Sequence, residues 1–442
     1  MTYDEYWKQL QADHDERIAW FRDARLGLFI HYGLFASYGM GEWAQSQECW
    51  TISEWEKQAK DFCPKPGCTD EWCRLAVEAG AKYAVLTTRH HEGFSLWDSK
   101  VNPFNSMNVC GRDLVREFTD SCRKYGLKIG LYSSLMDWRH PDSWRCYNDE
   151  ASRRRFLDYI EALNVELLSN YGKIDILWYD MPWPQMTSDQ WESVIRNSRL
   201  RALQPHILIN NRSRMPEDFY TPEESLNFPP NDGKRVAEEG ADWEACLTFN
   251  GFSWGYVDAA QAEPYSFRAQ QLVNTVTKCV QGGGNLLINI GPAADGSVPE
   301  DAVKPLTDLG AWMRRNAEAV YGRKARKYEI DVHLNQVCRA AVSLDHKTVY
   351  CFDFIWPKNG KLCFGGFKNL PRKIYLLATG EELPFHAEGY RLEIGGLPQK
   401  CPDDLGIAVL KMEFDEEVNN SYLCYYPQMS NGVDKSDGKG NP

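Results

Sequence analysis

With 442 residues, 43% apolar and 25% charged, the chain is long enough for one barrel-sized domain plus a smaller one, and its composition excludes disordered and membrane-spanning classes. A formal charge of -12 argues against nucleic acid or an anionic membrane as partner, because binding phosphates needs a concentrated basic surface. Sixteen Trp and 22 Tyr can either fill a large core or offer flat faces to a neutral ligand.

Other bulk features narrow the setting. The 14 Cys match neither a zinc pattern nor a disulfide scaffold, with Cys63, Cys68 and Cys73 at five-residue intervals and the rest scattered, so reduced thiols are expected. No apolar run approaches the roughly 18 residues that cross a bilayer. The first ten residues lack the apolar stretch of a signal peptide, which predicts a cytoplasmic protein, or a secreted or periplasmic one if a leader has been removed.

In chain order, the first predicted strand covers 27–31, and a helix opening at Thr69 buries Trp72, Leu75, Ala76 and Ala79 before stopping at Gly80. A strand at 83–89 follows. Asp113 then caps a helix burying Leu114, Val115, Phe118, Cys122 and Tyr125, with Gly126 as its stop, and this leads into a strand at 129–133. Further strands are predicted at 174–180, 207–212, 245–249 and 286–290. Seven strands and one unassigned position, alternating with helices, predict an α/β fold of the (β/α)8 TIM-barrel kind, regular or irregular. Near Tyr321 the pattern changes to short alternating strands with turn residues such as Asn359 and Gly360, and to Tyr390, Leu392 and Ile394 spaced by two. The expected organisation is a catalytic β/α barrel over 1–325, a smaller antiparallel β-sandwich over 326–427 and a disordered tail over 428–442.

A barrel of this kind displays its chemistry where the strands end. Those ends are polar in a consistent way: His31, then His90 and His91, Tyr132 and Asp137, Asp180, Arg212, and Glu244 opening the sixth. Any one of these could satisfy only a local hydrogen bond, but together they suggest a site. The period of two puts Ile176, Trp178 and Asp180 on one face, with Phe29 and His31 likewise paired, and the turn Met181-Pro182-Trp183-Pro184 keeps the surroundings of Asp180 apolar. His90-His91 invites a metal reading, but adjacent strand residues point opposite ways and no HxH or HExxH spacing occurs, so no metal is expected. Gly282-Gly283-Gly284-Asn285 precedes a strand, which disfavours a phosphate loop.

Several of these segments resemble the α-L-fucosidases of glycoside hydrolase family 29. Residues 25–33 (RLGLFIHYG) look like the family's opening strand, with Tyr32 where Trp is more usual. The run 79–83 (AGAKY) leading to 87–94 (TTRHHEGF) resembles its second, with Glu92 for the commoner Asp. Leu131-Tyr132-Ser133 with Asp137-Trp138, then Trp178-Tyr179-Asp180, Trp243-Glu244, Ser253-Trp254-Gly255-Tyr256 and 283–292 (GGNLLINIGP) complete the match.

The resemblance implies a cofactor-free retaining exo-α-L-fucosidase acting on a fucosylated oligosaccharide or glycoconjugate, with Asp180 as nucleophile. His31, Glu42, Trp43, His90, His91, Tyr132 and Arg212 would grip the sugar, while Phe29, Trp178 and Trp254 would enclose its C6 methyl group. For the acid/base, Thr221-Pro222-Glu223 places Glu223 first, Glu244 second and Asp218 third, with Glu224 a solvated loop residue. Three alternatives remain: a catalytically silent fucose-binding protein, a barrel glycosidase for another galacto-configured sugar, and a metal hydrolase built on His31, His90, His91 and Asp180. A homo-oligomer is compatible with the sequence.

Overall fold

Seven apolar runs pair in parallel: β1 (Leu26–Ile30), β2 (Tyr83–Arg89), β3 (Lys128–Ser134), β4 (Ile176–Asp180), β5 (Leu208–Ile209), β6 (Glu244–Thr248) and β7 (Asn285–Ile290). The computed structural model describes residues 1–180, 185–226, 240–249, 253–258, 268–327, 329–330 and 332–420. Packing divides the chain into two units, Met1–Phe267 with Asn285–Thr307, and Arg268–Gly284 with Asp308–Pro442.

In the first unit the strands lie in the order β5-β4-β3-β2-β1-β7-β6. Every strand contributes a side chain to one interior core: Phe29, Tyr83 and Val85, Tyr132, Ile176 and Trp178, Leu208, Cys246 and Leu287. A sheet whose outermost strands share one core is curled on itself. The closed eight-stranded barrel is not formed, because no strand ladder joins β5 to β6 among the described residues. Instead three isolated parallel bridges, Asn210 with Phe219, Tyr220 with Trp243 and Glu223 with Cys246, fill that seam. The fifth strand is also shorter than the expected 207–212. Past Ile209 the side chain of Asn210 replaces the ladder, accepting from the Tyr179 N–H and donating to the Tyr179 carbonyl, both at 2.9 Å. The backbone is thereby released into a 3-10 turn, Asn211–Ser213, that carries Arg212.

The helix signals hold with two corrections, one being that Tyr125 is half-buried and not buried, its hydroxyl donating to Asp70 at 2.9 Å. Asp113 accepts from the Arg116 N–H and Gly126, at φ 70°, ends the helix Leu114–Tyr125, as its sequence requires. The helix Cys68–Ala79 begins before Thr69, which has no capping bond there; its hydroxyl meets Ser121 at 3.2 Å instead. Inside the sheet Gly27 has a steric reason, since a Cβ at that position would lie 2.3 Å from the Tyr83 ring. That ring reaches the interior, where its hydroxyl bonds Glu244. The expected apolar turn at 181–184 lies outside the described residues.

An N-terminal helix, His14–Ala24, the second of the chain, supplies Ile18, Phe21 and Ala24 to the same core. Buried ions tie it down: Arg17 to Asp218 at 2.8 Å, Arg22 to Asp242 at 2.8 Å, and His14 within 3.4 Å of Asp218 and 3.3 Å of Asp242. Burial alone would lower the His14 pKa, but hydrogen bonds and charge from both aspartates raise it from 6.5 to about 9. A raised folded-state pKa gives stability that is complete below the unfolded value and lost as pH climbs through the folded one. The melting-temperature gap between the unmutated protein and His14→Gln is therefore expected to shrink as pH goes from about 6 to about 10. A gap independent of pH, measured by thermal melts, would refute this.

In the second unit β8 (Cys338–Val342), β9 (Thr348–Asp353), β10 (Leu362–Gly365), β11 (Lys373–Leu376), β12 (Phe385–Glu388), β13 (Arg391–Ile394) and β14 (Ala408–Glu413) form two antiparallel sheets, ordered β10-β13-β12 and β11-β14-β9-β8. Leu362, Phe364, Leu392 and Ile394 of one sheet share a core with Val349, Cys351, Ile374, Leu376, Leu410 and Met412 of the other. The turn expected at Asn359-Gly360 precedes β10, with Gly360 at φ 71°. The last part of the expected sandwich, 421–427, and the tail lie outside the described residues. The described cysteines carry no disulfide; Cys73 and Cys122 face each other with sulfurs 3.5 Å apart.

Candidate active site

At the C-terminal ends of the parallel strands one pocket is lined by Phe29, His31, Glu42, Trp43, His90, His91, Tyr132, Trp178, Asp180, Arg212, Glu223, Cys246 and Trp254. The residues suggested from the sequence are there except Glu244, Asp218 and Asp137, and one that sequence reasoning missed, Cys246, is present. Its signal was legible: two residues beyond Glu244 on β6, its side chain must face the same interior.

Asp180 ends β4, opposite Ser134 in register, and its backbone carbonyl accepts from the Leu135 N–H at 2.8 Å. Its Oδ2 accepts from the Tyr132 hydroxyl at 2.8 Å and its Oδ1 from Arg212 Nη1 at 2.6 Å. Burial, reinforced by the charge of Asp180, pushes the Tyr132 phenol well above its usual range, so it stays a donor. The other fork of Arg212 donates to Glu223 Oε2 at 3.0 Å, and its Nε donates to the Thr221 hydroxyl at 3.0 Å. One guanidinium thus spans two carboxylates. It lies over the Trp178 ring at 4.9 Å, and Trp178 in turn stacks on Tyr132 at 5.7 Å.

Glu223 comes from the seam between β5 and β6, where its backbone is held by the bridge to Cys246, and its side chain is 47% exposed. Glu224 turns outward at φ 51° as an exposed residue. The second and third acid/base candidates lie elsewhere. Glu244 is fully buried below the pocket, accepting from Trp178 Nε1 at 3.0 Å and from the Tyr83 hydroxyl. Burial raises its pKa to about 7, a value suited to a general acid, yet both oxygens are occupied by interior donors. Asp218 is saturated by Arg17, Arg201 and the Ile209 N–H around the N-terminal helix. Asp137, read as a strand end, accepts instead from Arg89, Tyr159 and the backbone of Arg139 and His140, bracing the loop after β3.

Hydrogen-bond logic assigns the histidine tautomers. His31 Nδ1 meets Asn289 Oδ1 at 2.6 Å while the Asn289 amide donates to the Trp254 carbonyl, so His31 Nδ1 carries the proton. His91 Nδ1 meets Ser134 Oγ at 2.7 Å, and Ser134 gives its own proton to the Met136 carbonyl, which leaves it an acceptor. Burial lowers both imidazole pKa values to about 3, so they are neutral near pH 7. Each then has an unprotonated Nε2 able to accept from a hydroxyl group. His90 stacks on Tyr132 with the rings 7° from parallel and has no partner at Nδ1.

Glu42 accepts from the Gly255 N–H at 2.7 Å and from Ser253, and Phe29 packs against Trp178 and Trp254 with ring centroids 5.0 and 6.1 Å away. Donor atoms of His90, His91 and Asp180 lie within 4.8 Å of one another, a composition that could also hold a metal ion. His31 stands outside that trio, and Asp180 already serves Tyr132 and Arg212.

A deep, aromatic-walled pocket with neutral imidazoles for hydroxyl groups and two carboxylates on one arginine has the layout of a retaining glycoside hydrolase. The family model for alpha-L-fucosidase matches residues 1–318. The plasma alpha-L-fucosidase of Rattus norvegicus is 30% identical over 405 residues, covering 83% of either chain. The alpha-L-fucosidase of Dictyostelium discoideum is 29% identical over 390 residues, covering 78% of this chain and 79% of its own. Among solved structures, alpha-L-fucosidase isoenzyme 1 from Paenibacillus thiaminolyticus superposes with a TM-score of 0.80 at 31% identity over 92% of this chain and all of that one. A family 29 alpha-L-fucosidase from Bacteroides thetaiotaomicron, trapped as a covalent intermediate with 2-fluoro-fucosyl fluoride, does so with a TM-score of 0.79 at 28% identity over 90% and 96% of the two chains. The chain belongs to the α-L-fucosidase family, glycoside hydrolase family 29, as its motifs implied, and its activity is that of a retaining fucosidase.

Proposed function

We propose that hydrolysis of a terminal α-L-fucosyl residue runs through Asp180 as nucleophile and Glu223 as acid/base. The supporting observation is the Arg212 fork, 2.6 Å from Asp180 and 3.0 Å from Glu223. In the first step Asp180 attacks the anomeric carbon while Glu223 protonates the departing oxygen; in the second, Glu223 takes a proton from water that attacks the fucosyl ester. As Asp180 loses its charge on esterification, Glu223 gains one by giving up its proton. The single negative charge passes between two acceptors of the same guanidinium, so the site keeps its electrostatic balance through both transition states.

His31 and His91 accept from sugar hydroxyl groups through Nε2, while Glu42, Trp43 and His90 complete the grip. Phe29, Trp178 and Trp254 face the C6 methyl group. We take the curled sheet with its bridged seam as an irregular (β/α)8-like barrel within a module 1–325, followed by a β-sandwich over 326–427 and a tail over 428–442. The substrate is a fucosylated glycan or glycoconjugate.

The test is turnover of nitrophenyl α-L-fucoside against the α-L-galactoside, which adds one hydroxyl at C6. The apolar wall is expected to favour the fucoside by roughly 10- to 100-fold in kcat/KM, with no loss in the presence of a chelator. A preference for the galactoside overturns the fucose assignment, and inactivation by the chelator favours the metal hydrolase on His90, His91 and Asp180.

A further inference from the structure

We propose that Trp144 is the platform on which the leaving-group sugar stacks, an inference that rests on the fucosidase reading above. Among the tryptophans of the described residues Trp144 alone leaves half its surface in water, at 50% exposure. An aromatic ring of that size is normally placed to bury its faces. Here it stands on the loop after β3, whose Trp138 packs on two residues that line the pocket, Trp43 and His91.

Trp43 lines the pocket, Trp138 packs on both Trp43 and His91 with centroids 5.2 and 5.4 Å away, and the Trp138 N–H donates to the His91 carbonyl at 2.7 Å. Trp144 then donates through Nε1 to the Trp138 carbonyl at 3.4 Å. Its loop is braced: Asp142 pairs with Arg155 through two bonds of 2.8 and 2.6 Å, and the Cys146 N–H returns to the Asp142 carbonyl at 3.0 Å. Tyr147, three residues on, is also exposed. The indole is therefore held before any ligand arrives, which spares the ordering cost of binding. The terminal fucosyl unit fills the pocket, so the sugar it is attached to must lie outside, against the rim. An aromatic face suits the C–H face of a pyranose and needs no charge on it.

The experiment compares Trp144→Ala and Trp144→Phe with the unmutated protein on a panel of fucosyl disaccharides and on α-L-fucosyl fluoride, whose leaving group is a single atom. Trp144→Ala is expected to lower kcat/KM about tenfold for the best disaccharide, mainly through KM, while the fluoride changes by less than about twofold. Trp144→Phe should recover most of the loss by restoring an aromatic face. An equal effect on both substrates, or none on any disaccharide, overturns the platform. If the unmutated protein turns over neither substrate, it is the fucosidase reading that fails. The platform is then decided by calorimetric titration with the disaccharides, where equal affinity for the unmutated protein and Trp144→Ala refutes it.

Discussion

Asp180→Gly should lower kcat/KM on nitrophenyl α-L-fucoside by on the order of 10^4-fold or more, and azide should restore turnover with β-L-fucosyl azide as product. The reason lies in what remains after the carboxylate is removed. Arg212 Nη1 and the Tyr132 hydroxyl, which donate to Asp180 at 2.6 and 2.8 Å, both keep their aim at the emptied space. A small anion that enters it meets one full positive charge and one neutral donor, on the face from which the nucleophile attacks. Glu223 is untouched and still protonates the leaving group, so the rescued reaction needs only the first of the two steps. Inversion from the α-substrate then gives the β-azide, which the anomeric proton coupling in an NMR spectrum identifies. An α-azide, or activity close to that of the unmutated protein, would remove Asp180 from the role.

For Glu223→Ala the expected loss depends on the leaving group. A natural glycan departs as a poor leaving group that needs its proton, so kcat/KM should fall by about 10^2- to 10^4-fold. Fucosyl fluoride needs far less help and should fall much less. Azide should now intercept the fucosyl ester in place of base-activated water and give the α-azide, the opposite anomer from the Asp180 variant. The contrast is Glu244→Ala. Glu244 bonds Trp178 Nε1 and the Tyr83 hydroxyl, and Trp178 supports Arg212 from below. Its loss is expected to disturb the placement of Trp178 and the stability of the core without yielding α-azide. If Glu244→Ala alone gave the α product, the acid/base would be Glu244.

A pKa near neutrality is weak guidance here. Glu244 reaches about 7 because it is buried, not because it is placed for proton transfer. Glu92 reaches about 7 for the same reason while bonding Trp55 and the Leu34 N–H away from the pocket. Geometry separates these carboxyls from Glu223. The half-exposed Glu223 shares a guanidinium with Asp180, and the others do not.

The seven strands were legible because each is a short apolar run followed by a polar residue, a local property that the chain carries without help from distant partners. Asp180 beside Trp178, and His31 beside Phe29, followed from the period of two alone. The helix caps at Asp113 and Gly126 were equally local. Other features had no local signal. Nothing in 207–212 shows that the Asn210 side chain will replace the ladder, because its partner is the Tyr179 peptide, 31 residues earlier. Glu42 and Trp43 follow no strand; the motif resemblance alone suggested them.

Sequence by itself therefore determined the alternation of strands and helices, the polar strand ends and, through its motifs, the family. Tertiary structure decided which carboxylate faces Asp180. Glu223, Glu244 and Asp218 are alike as residues in a string. Only the curling of the sheet sends one to the open rim beside Arg212, one to the interior under Trp178 and one to the ion network of the N-terminal helix, because a side chain's chemistry is set by the neighbours that folding brings within hydrogen-bond reach.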